Sequence, residues 1–154
     1  MKNLFLLTVL FLSIGCSNSY ENATENNFVP RTISPILIAK GSLMGSENIS
    51  QQNVVFYNSS SWNAILNSID TFRLAQFTET TTIDFNLFQL VAVFDNVYGS
   101  PTYNVEIISV LENANNITVS VQKVYQPSAA SVMDQKFHIV KIPKSVKPVL
   151  FQMQ

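Results

Sequence analysis

Residues 87–94 read LFQLVAVF, the most apolar run outside the N-terminus, with Gln89 as its single polar member. A run of this length bounded by turn-forming residues predicts a strand, and its lack of polar alternation predicts burial on both faces. A strand covered on both sides needs a sheet with a packed layer above and another below. The remaining sequence supplies mostly strands for that purpose. Residues 36–39 (ILIA) follow Pro35 and stop at Gly41, with Gly41 and Gly45 bracketing a loop. Residues 53–57 (NVVFY), 136–142 (KFHIVKI, up to Pro143) and 149–151 (VLF) add further extended segments. Residues 103–110 alternate, with Tyr103, Val105, Ile107 and Ser109 on one side, and residues 117–122 return with period two. Between them lie Glu112, Asn113, Ala114, Asn115 and Asn116, so the pair predicts a β-hairpin.

One segment departs from this pattern. Ser59, Ser60 and Ser61 offer helix-capping hydroxyls, and Trp62, Ile65, Leu66 and Ile69 then fall at helical spacing. They predict one apolar stripe on a short helix, ended by Asp70 and the threonine-rich stretch 78–82, with Trp62 as a core anchor. The expected fold is mainly β: an antiparallel β-sandwich or curled sheet with one short α-helix inserted near the N-terminal part of the domain. Residues 95–102 read as the loop between the central strand and the hairpin.

The N-terminus reads differently from the rest. Lys2 precedes an apolar run from Leu4 to Leu12 that is too short to span a bilayer and suits a secretory signal. The run ends in Ser13, Ile14, Gly15 and Cys16, small residues before a cysteine, as in a lipobox, with Ser13 where Leu is usual. Cys16 is the only cysteine, so an intramolecular disulfide is excluded and lipidation of Cys16 is the reading that uses the thiol. The expected organisation is a lipoprotein signal peptide at 1–15, a polar flexible tether at 16–32 and a β domain at 33–154. That organisation implies a bacterial cell-envelope protein, lipid-anchored outside the cytoplasm at the outer membrane or cell surface. With 47% apolar and 12% charged residues in a chain of 154, one domain with a substantial core is expected. A net charge of −1 with no clustered basic residues leaves nucleic-acid binding without an electrostatic footprint.

The catalytic inventory is short. His138 is the only histidine, lies inside a predicted strand and has no cysteine nearby for a nucleophile pair. No Gly-X-Ser-X-Gly elbow and no phosphate-cradling glycine loop occur. Asp70, Glu79 and Asp84 are too scattered for a hard-cation loop. The expectation is no enzyme, no catalytic residue, no metal and no cofactor, with His138 turned toward solvent or neighbouring polar groups.

Several phrases carry a family resemblance from about Ile36 to Phe151. They are ILIAKGSLMG, QQNVVFYNSSSWNAIL, FTETTTIDFNLFQLVAVFD, the hairpin YNVEIISVLENANNITVSVQ and the close FHIVKIPKSVKPVLF. In this order they resemble the bacterial PrcB-type family, named for an accessory subunit of a surface protease complex. Members usually carry a glycine-rich turn and an aromatic before the hairpin. Here Gly99 and Tyr103 match, whereas Pro101 and Thr102 replace paired glycines, and proline cannot adopt positive φ. Asp134, Gln135, Lys136 and Phe137 also stand where relatives show Gln-Pro-Tyr. The resemblance implies a non-catalytic β domain that docks onto a protease. The aromatic-bearing turn is also distantly similar to the ligand loop of chagasin-like cysteine-protease inhibitors.

These readings converge on a membrane-anchored binding or accessory lipoprotein whose partner is a surface or periplasmic protease or another envelope protein. Its expected partner-binding loop is Tyr98, Gly99, Pro101, Thr102 and Tyr103, because aromatics on a rigid turn lose little entropy on binding. The alternatives are direct protease inhibition through the same loop, and a structural envelope lipoprotein without a dedicated ligand.

Overall fold

A computed structural model of the chain describes residues 28–78, 83–99, 103–126 and 132–154. The signal segment 1–15, Cys16, the tether residues 17–27, the stretch 79–82 and the loop residues Pro101 and Thr102 lie outside the described residues. The elements are β1 (Arg31–Thr32), β2 (Ile36–Leu43), β3 (Gln52–Phe56), α1 (Ser59–Leu66), α2 (Thr71–Leu74) and β4 (Phe88–Tyr98). Then follow β5 (Tyr103–Glu112), β6 (Ile117–Tyr125), β7 (Asp134–Pro143) and β8 (Val149–Met153).

The strands form two four-stranded sheets, ordered β1-β5-β6-β8 and β2-β7-β4-β3. All paired neighbours are antiparallel except β6 and β8, which run parallel. The expected mainly-β architecture holds. β4 is an inner strand, and Gln89 through Asp95 are all buried, as the apolar run required. Its alternate side chains feed two different cores. Leu90, Ala92 and Phe94 join Trp62, Phe77 and Phe137 beneath the helices, while Val91 and Val93 join Val105, Val119, Val121 and Val140 between the sheets. The hairpin-bearing sheet thus covers one face of the central sheet, and α1 with its flanking segments covers the other.

Several boundaries differ from the sequence expectation, each for a local reason. β2 does not stop at Gly41 but runs on to Leu43, with Gly41 opposite Phe137. There a Cβ would lie 3.1 Å from Gln76 Oε1, so glycine answers a close approach rather than a turn. β4 continues past Phe94 to Tyr98 through a bulge between Phe94 and Val97, so residues 95–98, expected as loop, are strand. A second bulge between Ile107 and Ser109 flips the phase of β5. Ser109 therefore faces outward, and Val110 and Glu112 turn in. The cap of α1 is Asn58, whose side chain accepts from Ser61 N–H at 2.9 Å, not one of the serines. Asp70 does not end that helix. It caps a second one, α2, by accepting from Arg73 N–H at 2.9 Å. Finally, Arg31 and Thr32, expected in the tether, pair with Glu112 and Leu111 of β5. The N-terminal segment thus joins the sandwich beside the far end of the hairpin strand from Tyr103.

Candidate functional site: an aromatic pole

The bulge in β4 determines what its last residues do. Asp95, on the same face of β4 as Val91 and Val93, is buried next to the bulge, and its carboxylate accepts from Asn96 N–H at 2.8 Å and from Lys123 Nζ at 2.9 Å. Lys123 projects from β6, and its ammonium also meets the Tyr98 hydroxyl at 3.3 Å and lies 5.4 Å from that ring's centre. Burial weighs against the charged Lys123, but the hydrogen bonds to Asp95 and Tyr98 outweigh it and raise its pKa. Beneath this pair Gln135 Nε2 donates to the carbonyls of Ile49 at 2.7 Å and Asp95 at 2.8 Å. On the same strand Lys136 Nζ reaches Asp134 at 2.7 Å and donates to Ser42 Oγ at 2.8 Å. This polar framework pins the strand ends at one pole of the sandwich.

Above it the aromatics are exposed. Tyr98 is 40%, Tyr103 48% and Tyr125 64% accessible. Tyr103 and Tyr125 face each other across the β5–β6 ladder, with ring centres 5.7 Å apart at 69°. Tyr98 pairs with Asp134, which places the exposed Met133 beside it, and a Cβ on Gly99 would lie 4.0 Å from Met133 Sδ. Of the expected loop, Tyr98, Gly99 and Tyr103 thus come to one pole. Tyr103 does not pack into the core. Tyrosine and methionine are among the side chains enriched at protein interfaces, and here the tyrosines sit on hydrogen-bonded strand ends, with Met133 just ahead of β7.

Tyr125, Met133, Lys123 and Asp95 belong to the same pole and went unseen in the sequence. Tyr125 lies opposite Tyr103 because the β5 bulge shifts the ladder by one residue. A straight hairpin would have paired Tyr103 with the next position, and nothing in the pattern marks the bulge.

His138 has a different setting. Its ring is buried between the sheets and its Nδ1 accepts from Ile107 N–H at 2.9 Å, at the open edge of β5. Burial, and then the nearby Lys40 ammonium, push its pKa down to about 4, with Glu106 opposing. Near neutral pH it is an uncharged acceptor that closes a strand edge. Its neighbours are polar, as expected, but it does not face solvent.

The opposite pole holds the N-terminal entry. Glu112 there accepts from Arg31 Nε at 2.5 Å and Lys147 Nζ at 2.8 Å. Hydrogen bonds from Lys147 and then Arg31 hold its carboxyl below the usual range. A cleft of about 300 Å³ beside this cluster is lined in part by Ser34, Ile117 and Lys144. Lys144 Nζ donates to the Phe85 carbonyl at 2.6 Å. Among the described residues, no group of three or more His, Cys, Asp or Glu side chains could hold a metal ion, and no helix is long and apolar enough to cross a membrane. No family model, no curated protein and no solved structure matches this chain.

Proposed function

We propose that this protein is a lipid-anchored, non-catalytic accessory module of the bacterial envelope that binds a protein partner through its tyrosine-bearing pole. The observation that carries the reading is the exposed set Tyr98, Tyr103 and Tyr125 on strand ends, with Met133 just ahead of β7, at a pole braced by the Asp95–Lys123 pair. Rigid aromatic anchors of this kind supply most of the binding energy in a protein interface. The placement of the N-terminal segment adds support. It enters beside Glu112, whereas Tyr103 lies at the other end of β5, about 30 Å away for a strand of this length. A tether leading to Cys16 from the Glu112 pole keeps the chain's own anchor at a distance from its tyrosine pole. The resemblance to the PrcB-type family makes an envelope protease the first partner to test.

The test is a photo-crosslinking amino acid in living cells, placed at Tyr103 and, as a control, at the fully exposed Val146 near the Glu112 pole. Tyr103 is expected to give one discrete adduct with an envelope protein that Val146 does not give. Alanine at both Tyr98 and Tyr125 is expected to weaken that adduct by at least about tenfold, the loss of one hot spot. Equal adducts at both positions, or none at Tyr103, would end the assignment. The anchor has its own check: radiolabelled palmitate is expected to enter the chain and to be lost with Cys16→Ala.

A further inference from the structure

The strand edges of this sandwich are not equally protected. β5 is open over most of its length, yet His138 accepts from Ile107 N–H there and Lys40 pairs with Glu106 at 2.6 Å across the same opening. The edge of β2 is met by Thr78, whose N–H donates to the Ile38 carbonyl at 2.8 Å and whose hydroxyl donates to the Leu37 carbonyl at 2.9 Å. β3 opens on two amides, Gln52 and Asn53, and ends at Phe56, buried against Trp62. β8 is the exception. Its five residues, VLFQM, contain no charge, no proline and no bulge, and among the described residues no strand pairs with its outer side. Edges of this kind are what natural sheets usually blunt with charge or proline.

The direction of the free backbone groups follows from the ladder. Ile117 N–H donates to the Pro148 carbonyl at 2.9 Å, and Gln154 N–H donates to the Val121 carbonyl at 2.9 Å. A parallel ladder uses alternate residues of each strand. Pro148, Leu150, Gln152 and Gln154 therefore turn their backbone toward β6, and Val149, Phe151 and Met153 turn theirs outward. The side chains of Val149 and Phe151 pack against the core between the sheets, but both stay partly exposed at this edge. Among the described residues the apolar core is thus open along β8, beside a row of backbone donors and acceptors without partners.

We infer that β8 is a self-association edge, and that two copies of this chain join antiparallel through Val149–Met153 about a twofold axis at Phe151. In that register Phe151 faces Phe151 of the second copy, and Val149 faces its Met153. Every outward N–H and C=O of these residues then finds a partner, and the apolar side chains of the two edges complete each other's core. The match belongs to this sequence's own pattern, apolar residues at alternate positions with no charge to repel a copy of itself. Twofold pairing closes on itself, so the product is a dimer rather than a fibre. Antiparallel joining sets the two Glu112 poles at opposite ends. Residues 16–30 can span at most on the order of 50 Å, enough for both copies to reach one bilayer.

Met153 permits a clean test, because it is half-exposed and its N–H points away from β6. Proline at such a position removes an edge donor without breaking the internal ladder. The full-length chain, extracted from membranes in mild detergent, is expected to scatter light as twice its protomer mass once the micelle is subtracted. Met153→Pro is expected to halve that mass with an unchanged circular dichroism spectrum, and Met153→Leu to leave it doubled. If proline perturbs the fold, Met153→Lys, which places a charge on the edge as protected edges do, gives the same halving. A monomeric wild type at tens of micromolar, or a dimer that survives both Met153→Pro and Met153→Lys, overturns the proposal. A crosslinker at Met153 in cells that joins only a different protein also overturns it, and shows the edge to be a site of strand addition by that partner.

Discussion

The central sheet is buried on both faces, yet the two faces are filled by different kinds of side chain. Toward the helices lies a chain of rings: Phe56 to Trp62 at 5.4 Å, Trp62 to Phe77 at 6.1 Å, Phe77 to Phe137 at 5.8 Å and Phe137 to Phe94 at 6.2 Å. Toward the second sheet the fully buried apolar side chains are all valine or isoleucine, with Phe151 only partly buried at the edge. The strands themselves alternate between the two chemistries, Phe94 against Val93 in β4 and Phe137 against Val140 in β7. The difference follows from what does the covering. A pleated sheet presents regular rows, into which stiff β-branched side chains fit. Two short helices and their connections leave irregular gaps, and large rings fill those with the fewest residues. One side of the molecule is held by repetition, and the other by a few large contacts.

The sharpest test of that contrast is truncation on each side. Trp62 is almost fully buried, at 1% exposure, and touches two other rings. Trp62→Ala is expected to cost about 3–5 kcal/mol in chemical denaturation. Ile142→Val, in the core between the sheets, is expected to cost about 0.5–1.5 kcal/mol, because it removes one methyl group from a row of similar side chains. Equal losses from the two would erase the distinction.

Acid should strike the other side first. His138 is buried on the face of β7 that meets the second sheet, and its pKa is lowered to about 4. The unfolded chain takes up a proton near pH 6.5, where the folded chain does not, so stability falls as pH drops from about 6.5 toward 4. The loss should approach about 3 kcal/mol, and is then complete. Glutamine at 138 keeps an acceptor without titrating, and His138→Gln is expected to flatten the pH dependence of unfolding in that window. An unflattened slope would move the acid sensitivity to the carboxylates.

The legibility of the sequence follows the same division. The valine side was readable, because a strand buried on both faces and a hairpin of period two both declare themselves through spacing. The run at 87–94 predicted an inner strand, and 117–122 predicted its place in a ladder. What escaped were features with no period: the bulges after Phe94 and Ile107, the second helix at Thr71, and the short pairing of Arg31 with Glu112. Those bulges built the tyrosine pole. One sets Tyr98 opposite Asp134 and so beside Met133, and the other aligns Tyr125 with Tyr103. Tyr98, Gly99 and Tyr103 could be singled out as neighbours in sequence, but Tyr125, Met133 and Lys123 join them only through the register. His138 was placed on a strand correctly, while its burial depended on a sheet packing that periodicity does not encode.

The smallest expected effect concerns how the ring-filled side is held shut. α1 is only eight residues long, too short to be stable alone, so its first turn depends on its cap and its packing. Asn58 Oδ1 accepts from Ser61 N–H at 2.9 Å and from Ser61 Oγ at 3.1 Å, satisfying donors that no helix turn precedes. Asn58→Ala is expected to cost about 1 kcal/mol, and Asn58→Asp, which keeps the acceptor, to cost much less. Because Trp62 sits one turn further on, Asn58→Ala should also red-shift tryptophan fluorescence as the first turn frays, whereas Ile142→Val should leave the emission where it is. An Asn58→Ala protein with full stability and unshifted emission would mean that the rings hold the helix in place rather than the helix holding the rings, and the covering of this face would then owe nothing to its cap.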